Sequence, residues 1–248
     1  MIEIQKLHYH YPDGTHAVKG VDLMISEGEF LLICGSNGSG KTTLMRLICG
    51  LMKPSAGSIR VDGVEGPHAS RKTRHLVGMV FQEADHQIVG ETVREDVAFG
   101  PENMGLSSQE VGQRVDGALR LMGLEDISEK PCHLLSGGEK RRLCIAGILA
   151  MKPSIILFDE PFSHLDYSGI QEVLKRMIHL HHEGHTLVVT THDVEKVIMH
   201  VDRMAILHHG ELKASGLPDE LVTKLNRYGI RPPCYALLGG KKISWLNE

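Results

Sequence analysis

"FLLICGSNGSGKTTLMRLI", residues 30–48, decides the fold. Phe30 to Cys34 form an unbroken apolar run, the composition of a strand buried on both faces. "GSNGSGKT" at 35–42 follows and fits the pattern G-x-x-x-x-G-K-[ST]. Beyond it Leu44, Leu47, Ile48 and Leu51 mark one face of a helix. A strand, a glycine loop and a helix in that order are the context in which such a loop wraps a phosphate chain. Gly35, Gly38 and Gly40 let backbone N–H groups turn inward around phosphate oxygens. The helix N-terminus adds partial positive charge. Lys41 is placed to reach the β- and γ-phosphates, Thr42 to put its hydroxyl on Mg²⁺, and Thr43 to touch the α-phosphate. Ser36, Asn37 and Ser39 complete the phosphate-binding loop.

A second stretch supplies carboxylates. "IILFDE" ends a buried strand on Asp159 and Glu160, and such a pair is costly there without a role or partners. Asp159 is placed to hold Mg²⁺ through water. Glu160 is then free to polarise a water for attack on the γ-phosphate. A kinase, a GTPase or a helicase would share these two parts. "LSGGEKRR" at 135–142 separates them: Ser136, Gly137 and Gly138 stand before a helical run and make a second helix N-terminus suited to an anion. One nucleotide has one triphosphate tail, already cradled by 35–42. The second anion site therefore suggests a site built across two subunits.

The rest of the chain sets the frame. Its 248 residues allow one large domain. A net charge of −4 gives no basic surface for nucleic acid. The five cysteines lack C-x-x-C spacing, as in a reduced cytosolic protein. No run approaches the roughly 18 apolar residues of a membrane span. "SIRVDG", "HLVGMVF" and "TLVVTTH" read as further strands. Val111, Val115, Ala118, Leu119 and Met122 mark one amphipathic helix, and Ile170, Val173, Leu174, Met177 and Ile178 another. Strand–helix alternation predicts an α/β domain with a largely parallel sheet. Residues 84–150 read as an inserted helical subdomain. The tail from Gly216 opens with a helix and then meets "RPP".

With these motifs in order, the chain resembles the ATP-binding-cassette (ABC) ATPases over nearly all of residues 1–215. "GSNGSGKT" matches the Walker A, Gln82 the Q-loop glutamine, "LSGGE" the signature, "IILFDE" the Walker B, "SHLD" (163–166) the D-loop, and His192 in "TTHD" the switch histidine. Tyr11 stands where such ATPases place an aromatic ring that stacks on adenine. The resemblance implies a P-loop core with an antiparallel β subdomain at its N-terminus, and ATP with Mg²⁺ as ligands. It implies a head-to-tail dimer in which Ser136, Gly137 and Gly138 contact the γ-phosphate in trans. His192 contacts it in cis, and Asp166 reaches the opposite Walker A. Gln82 senses Mg²⁺ and the attacking water. A complete motif set suits a homodimer, with a paralogous ATPase as the other possibility.

"VFQEADHQIVGETVREDVAFGPENMGL" and "LSGGEKRRLCIAGILAM" look most like the ATPases of energy-coupling-factor (ECF) transporters of the cobalt, nickel and biotin type. "YGIRPPCYALL", within the extension 216–248, resembles their C-terminal dimerisation segment more weakly. The resemblance implies an ATP-hydrolysing subunit at the cytoplasmic face of the cell membrane, powering import of a vitamin or a transition-metal ion. Its partners would be a transmembrane coupling protein and a substrate-binding membrane protein. Glu83, Asp85, Glu95 and Asp96 predict an acidic groove after Gln82, complementary to arginines of the coupling protein. The other readings are an ABC importer of another type and a soluble, non-transport ABC ATPase. Three positions depart from the family pattern: Glu139 replaces a glutamine, His164 a small D-loop residue, and His86 a common acid. Sixteen histidines invite a metal reading, and His181 and His185 have i, i+4 spacing. Gly184 between them argues against one shared helix face.

Overall fold

The structure, a computed structural model, describes residues 1–65 and 75–246. Its centre is a six-stranded sheet in the order β10-β9-β3-β8-β7-β6. The strands are β3 (Phe30–Cys34), β6 (Val77–Val80), β7 (Ile155–Asp159), β8 (Thr186–Thr191), β9 (Arg203–His208) and β10 (Glu211–Gly216). β6, β7, β8, β3 and β9 run parallel, and β10 turns back antiparallel on β9. A second, antiparallel sheet has the order β2-β1-β4-β5, from β1 (Ile2–His10), β2 (His16–Ile25), β4 (Ala56–Val61) and β5 (Val64–Glu65).

Each face of the parallel sheet meets a different core, which is why β3, β6, β7 and β8 are buried at every position. Leu31, Ile33, Leu157 and Val188 face one way, against the antiparallel sheet and helix α1 (Lys41–Ile48). Phe30, Leu32, Phe158 and Val189 face the other way, against helices. Those helices are α2 (Val93–Asn103), α3 (Ser108–Met122), α4 (Gly137–Ala150) and α5 (Tyr167–His182). Truncating a large side chain here, Phe30 for instance, should cost about 3–5 kcal/mol.

The residues between 84 and 150 hold α2, α3, α4 and short 3₁₀ turns, and no strand of either sheet. All five apolar residues expected on α3 are buried. On α5, Ile178 is only partly buried, and Leu180 fills the face instead. Leu51 departs from expectation. α1 stops at Ile48, Gly50 turns the chain through φ 77, and Leu51 is left 59 % exposed. A left-handed glycine ends the helix before that turn can form.

Beyond β10 come α6 (Pro218–Leu221), a 3₁₀ segment (Val222–Tyr228) and α7 (Cys234–Leu238). The tail returns over α5, where Gln171 Nε2 donates to the Trp245 carbonyl at 2.8 Å. The backbone N–H of Cys234 donates to Glu195 Oε1 at 3.1 Å, three residues beyond His192.

Candidate functional site

Residues 35–43 wrap the C-terminal end of β3 and open α1. Glycine is required at two places. At Gly35 a Cβ would stand 2.4 Å from the Leu207 carbonyl oxygen. Gly40 has φ 102, and its Cβ would stand 2.5 Å from the Ala17 carbonyl oxygen. The loop is therefore pressed between β2 and the end of β9. Gly40 carries no capping side chain, so the first-turn N–H groups of α1 lack an internal acceptor.

Lys41 is 6 % exposed. Its Nζ donates to the carbonyls of Gly35 (2.8 Å) and Ser36 (3.3 Å) and lies 3.6 Å from Glu160 Oε1. Ser39 Oγ is buried without a hydrogen-bond partner among the described residues. An ammonium held by carbonyls, an orphaned hydroxyl and uncapped N–H groups fit a polyphosphate.

The carboxylates come from the end of β7. Thr42 Oγ1 donates to Asp159 Oδ1 at 3.2 Å, and Thr190 Oγ1 donates to the same oxygen at 2.6 Å. Thr42, Gln82 and Asp159 line one recess of about 540 Å³. A hydroxyl, an amide and a carboxylate are hard oxygen donors of the kind Mg²⁺ takes, so the residues fit that ion. Glu160 follows at φ 47, an uncommon conformation for a residue with a Cβ. Its N–H donates to the Thr190 carbonyl at 3.0 Å, which pins the backbone to β8. Its Oε1 accepts from the His192 backbone N–H and lies 3.0 Å from His192 Nδ1. An ionised carboxylate only accepts, so that pair puts a proton on Nδ1 and leaves Nε2 outside it.

The cleft between these parts has a volume of about 530 Å³. Tyr11, Asn37 to Thr43, Gln82, Glu160 and His192 all line it. Tyr11 hydroxyl lies 2.9 Å from Thr43 Oγ1. Thr15, His16, Ala17, Lys19, His209 and Gly210 line it too. Sequence reasoning missed these six. They arrive through the β1–β2 hairpin and the β9–β10 turn, and no local pattern marks them. Ser136, Gly137, Gly138 and Asp166 do not line the cleft. Ser136 caps α4 in a reciprocal box with Glu139, and the Ser136 N–H holds the Glu139 carboxyl below the ordinary glutamate value. Asp166 caps α5, accepting from the Gly169 N–H at 2.8 Å. The two caps are neighbours: a Cβ on Gly137 would stand 3.6 Å from the His164 carbonyl oxygen.

The acidic groove needs correction at Asp96, while Glu83, Asp85 and Glu95 are exposed. Asp96 is 8 % exposed and accepts from the N–H groups of Val89 (2.7 Å) and Gly90 (3.0 Å). It is a buried brace, not a surface charge. Glu95 is exposed, yet it caps its own helix through the Thr92 N–H. Asp85 is exposed and already paired with Lys140 at 2.6 Å. Beside these acids lies an apolar groove of about 440 Å³, bordered by Val89, Phe99, Met104 and Met151, with Asp96 at its edge. His181 and His185 share no helix face: α5 ends at His182, and His181 Nε2 lies 3.0 Å from the Gly28 carbonyl oxygen.

Comparison with known proteins agrees with this geometry. The ABC transporter family profile matches residues 18–163. An energy-coupling factor transporter ATP-binding protein, EcfA, of Methanosphaera stadtmanae is 43% identical over 226 residues, covering 90% of this chain and 81% of its own. Among solved structures, cbiO1 from Clostridium perfringens, part of the ABC transporter complex cbiONQ, superposes with a TM-score of 0.81 at 37% identity, covering 91% of this chain and 94% of its own. A dimeric ATP-binding cassette in a post-hydrolysis state, bound to ADP and Pi, gives 0.79 at 31% identity, covering 88% of this chain and 99% of its own. Cradle, paired carboxylates and these likenesses lead to one conclusion: the chain belongs to the ABC transporter family, among the ATP-binding proteins of energy-coupling factor transporters.

Proposed function

We propose that the chain is the ATP-hydrolysing subunit of an ECF-type importer for a vitamin or a transition-metal ion, acting as a nucleotide-sandwich dimer. One observation carries the reading: Lys41, Glu160 and His192 converge at one end of the phosphate cradle. Glu160 takes the proton of the attacking water. Lys41 stabilises charge on the γ-phosphate as it transfers, and His192 joins it when Nε2 as well as Nδ1 carries a proton. Tyr11 stacks on the base. Thr42, Asp159 and Gln82 would hold Mg²⁺, which neutralises charge on the β- and γ-phosphates when bound. Ser136, Gly137 and Gly138 act on the partner subunit's nucleotide, and Asp166 crosses to its Walker A. That none of the four lines the chain's own cleft supports that division.

In this reading residues 1–215 form the ATPase domain, 84–150 its helical insert and 216–248 a dimerisation segment. Leu238 and Ile243, 83 % and 73 % exposed, give that segment an apolar face. The apolar groove beside Phe99 and Val89 receives a helix of the transmembrane coupling protein, and a substrate-binding membrane protein completes the assembly. Among the described residues no helix is long and apolar enough to cross a membrane, which suits a peripheral subunit on the cytoplasmic face. Glu160→Gln should trap an ATP-bound dimer, seen by gel filtration with ATP and Mg²⁺. A variant that binds ATP and stays monomeric would refute the sandwich.

A further inference from the structure

An arginine in a protein interior needs a reason, because its charge is costly to bury. Arg141 is 3 % exposed and stands on α4, behind the Ser136 cap. Its Nη1 donates to the Phe81 carbonyl at 2.5 Å, and its Nη2 donates to the Gln82 carbonyl at 2.7 Å. Both acceptors are backbone carbonyls of consecutive residues. The fork of the guanidinium therefore fixes the peptide plane that carries Gln82. The same segment is held a second time. The Phe81 N–H donates to Gln87 Oε1 at 2.9 Å, and Gln87 Nε2 donates to the Cys144 carbonyl of α4 at 3.4 Å. Cys144 lies one turn beyond Arg141 on the same helix.

We infer that Arg141 is a positioning residue for hydrolysis, making the Gln82 backbone ride with α4. The inference rests on the roles proposed above for Gln82 and Ser136. α4 begins at the residues that meet the partner subunit's nucleotide. Gln82 lines the chain's own cleft. A shift of α4 on engaging the partner is thus delivered, through two charge-assisted hydrogen bonds, to the glutamine at the other nucleotide. Neither Arg141 nor Gln87 touches the cleft. Their effect should fall on turnover and spare binding.

The test uses the full chain, measuring kcat and KM for ATP, the Kd of a fluorescent ATP analogue, and thermal unfolding. Arg141→Met should lower kcat by about 10- to 100-fold, the scale for a misplaced catalytic group, with the analogue's Kd changed by less than about twofold. Arg141→Lys, which keeps the charge and one carbonyl bond, should recover part of the loss. Adding Arg141→Met to Gln82→Ala should lower kcat no further, since Arg141 acts through Gln82. If Arg141→Met does not fold, Gln87→Leu carries the test, with a smaller kcat loss at unchanged Kd. A kcat loss that adds to that of Gln82→Ala, or a loss of binding in step with turnover, would overturn the inference. Gln82→Ala with normal kcat would instead sink the role given to Gln82 itself, and this inference with it.

Discussion

Asp96→Ala should destabilise the fold far more than loss of a surface charge would. The carboxylate accepts the N–H groups of Val89 and Gly90, and Gly90 sits so close that a Cβ there would stand 2.3 Å from the Asp96 nitrogen. Alanine leaves both part-buried N–H groups without their acceptor. Each unsatisfied group costs about 1–3 kcal/mol, so the pair should cost about 2–6 kcal/mol. Asp96→Asn keeps an oxygen in place and loses only charge assistance, so it should cost less than half of that. Glu95→Ala removes an exposed cap and should cost about 1 kcal/mol or less. Urea unfolding followed by circular dichroism gives the three values on one scale. If Asp96→Ala unfolds within about 0.5 kcal/mol of the parent, the range of ordinary surface changes, the buried-brace reasoning is wrong. Coupled with failure to recover the membrane partner, that result would restore the acidic groove.

Three further outcomes are expected. Tyr11→Ala should weaken ATP binding by about 1–3 kcal/mol, the worth of a base–aromatic stack, whereas Tyr11→Phe should lose only the Thr43 contact; equal effects in titration calorimetry would argue against stacking. Gly40→Ala must place a Cβ 2.5 Å from a backbone oxygen at φ 102, so it should abolish detectable binding of a fluorescent ATP analogue; retained binding would mean the loop can move away from β2. Burial pushes the thiols of Cys34 and Cys144 up to about 12 and those of Cys49 and Cys132 to about 11. At pH 8 all four should resist iodoacetamide in the native chain and react in urea, and mass spectrometry showing rapid native labelling of Cys34 would contradict its burial.

The parts legible in the sequence were those written in consecutive residues. Phe30 to Cys34 is apolar at every position because two cores meet there, and Gly35 to Thr42 carries the cradle in one run. Helix faces were readable from their period, except where a turn intervened: Gly50 ended α1 and left Leu51 outside. What escaped was set by distant pairing. His16 and His209 reach the cleft only because β2 and β9 flank the same loop. Asp96 looked like a surface acid because composition shows charge and not direction. Its neighbour Glu95 does face solvent, and only the helix phase separates the two. Arg141 was hidden inside the basic run 140–142, where nothing in the sequence marks which of the three side chains turns inward.

Ser136 and Asp166 each spend their side chains on the helix they begin. Neither needs a second copy to stay in shape. The isolated chain thus keeps a finished surface whose chemistry lies idle until another arrives. Turnover in solution should then rise with the square of protein concentration when the chain is dilute. A membrane assembly that seats two copies side by side raises their effective concentration to the millimolar range without altering a single contact. Anchoring alone would then switch the enzyme on, and the same chain released into dilute solution would fall silent.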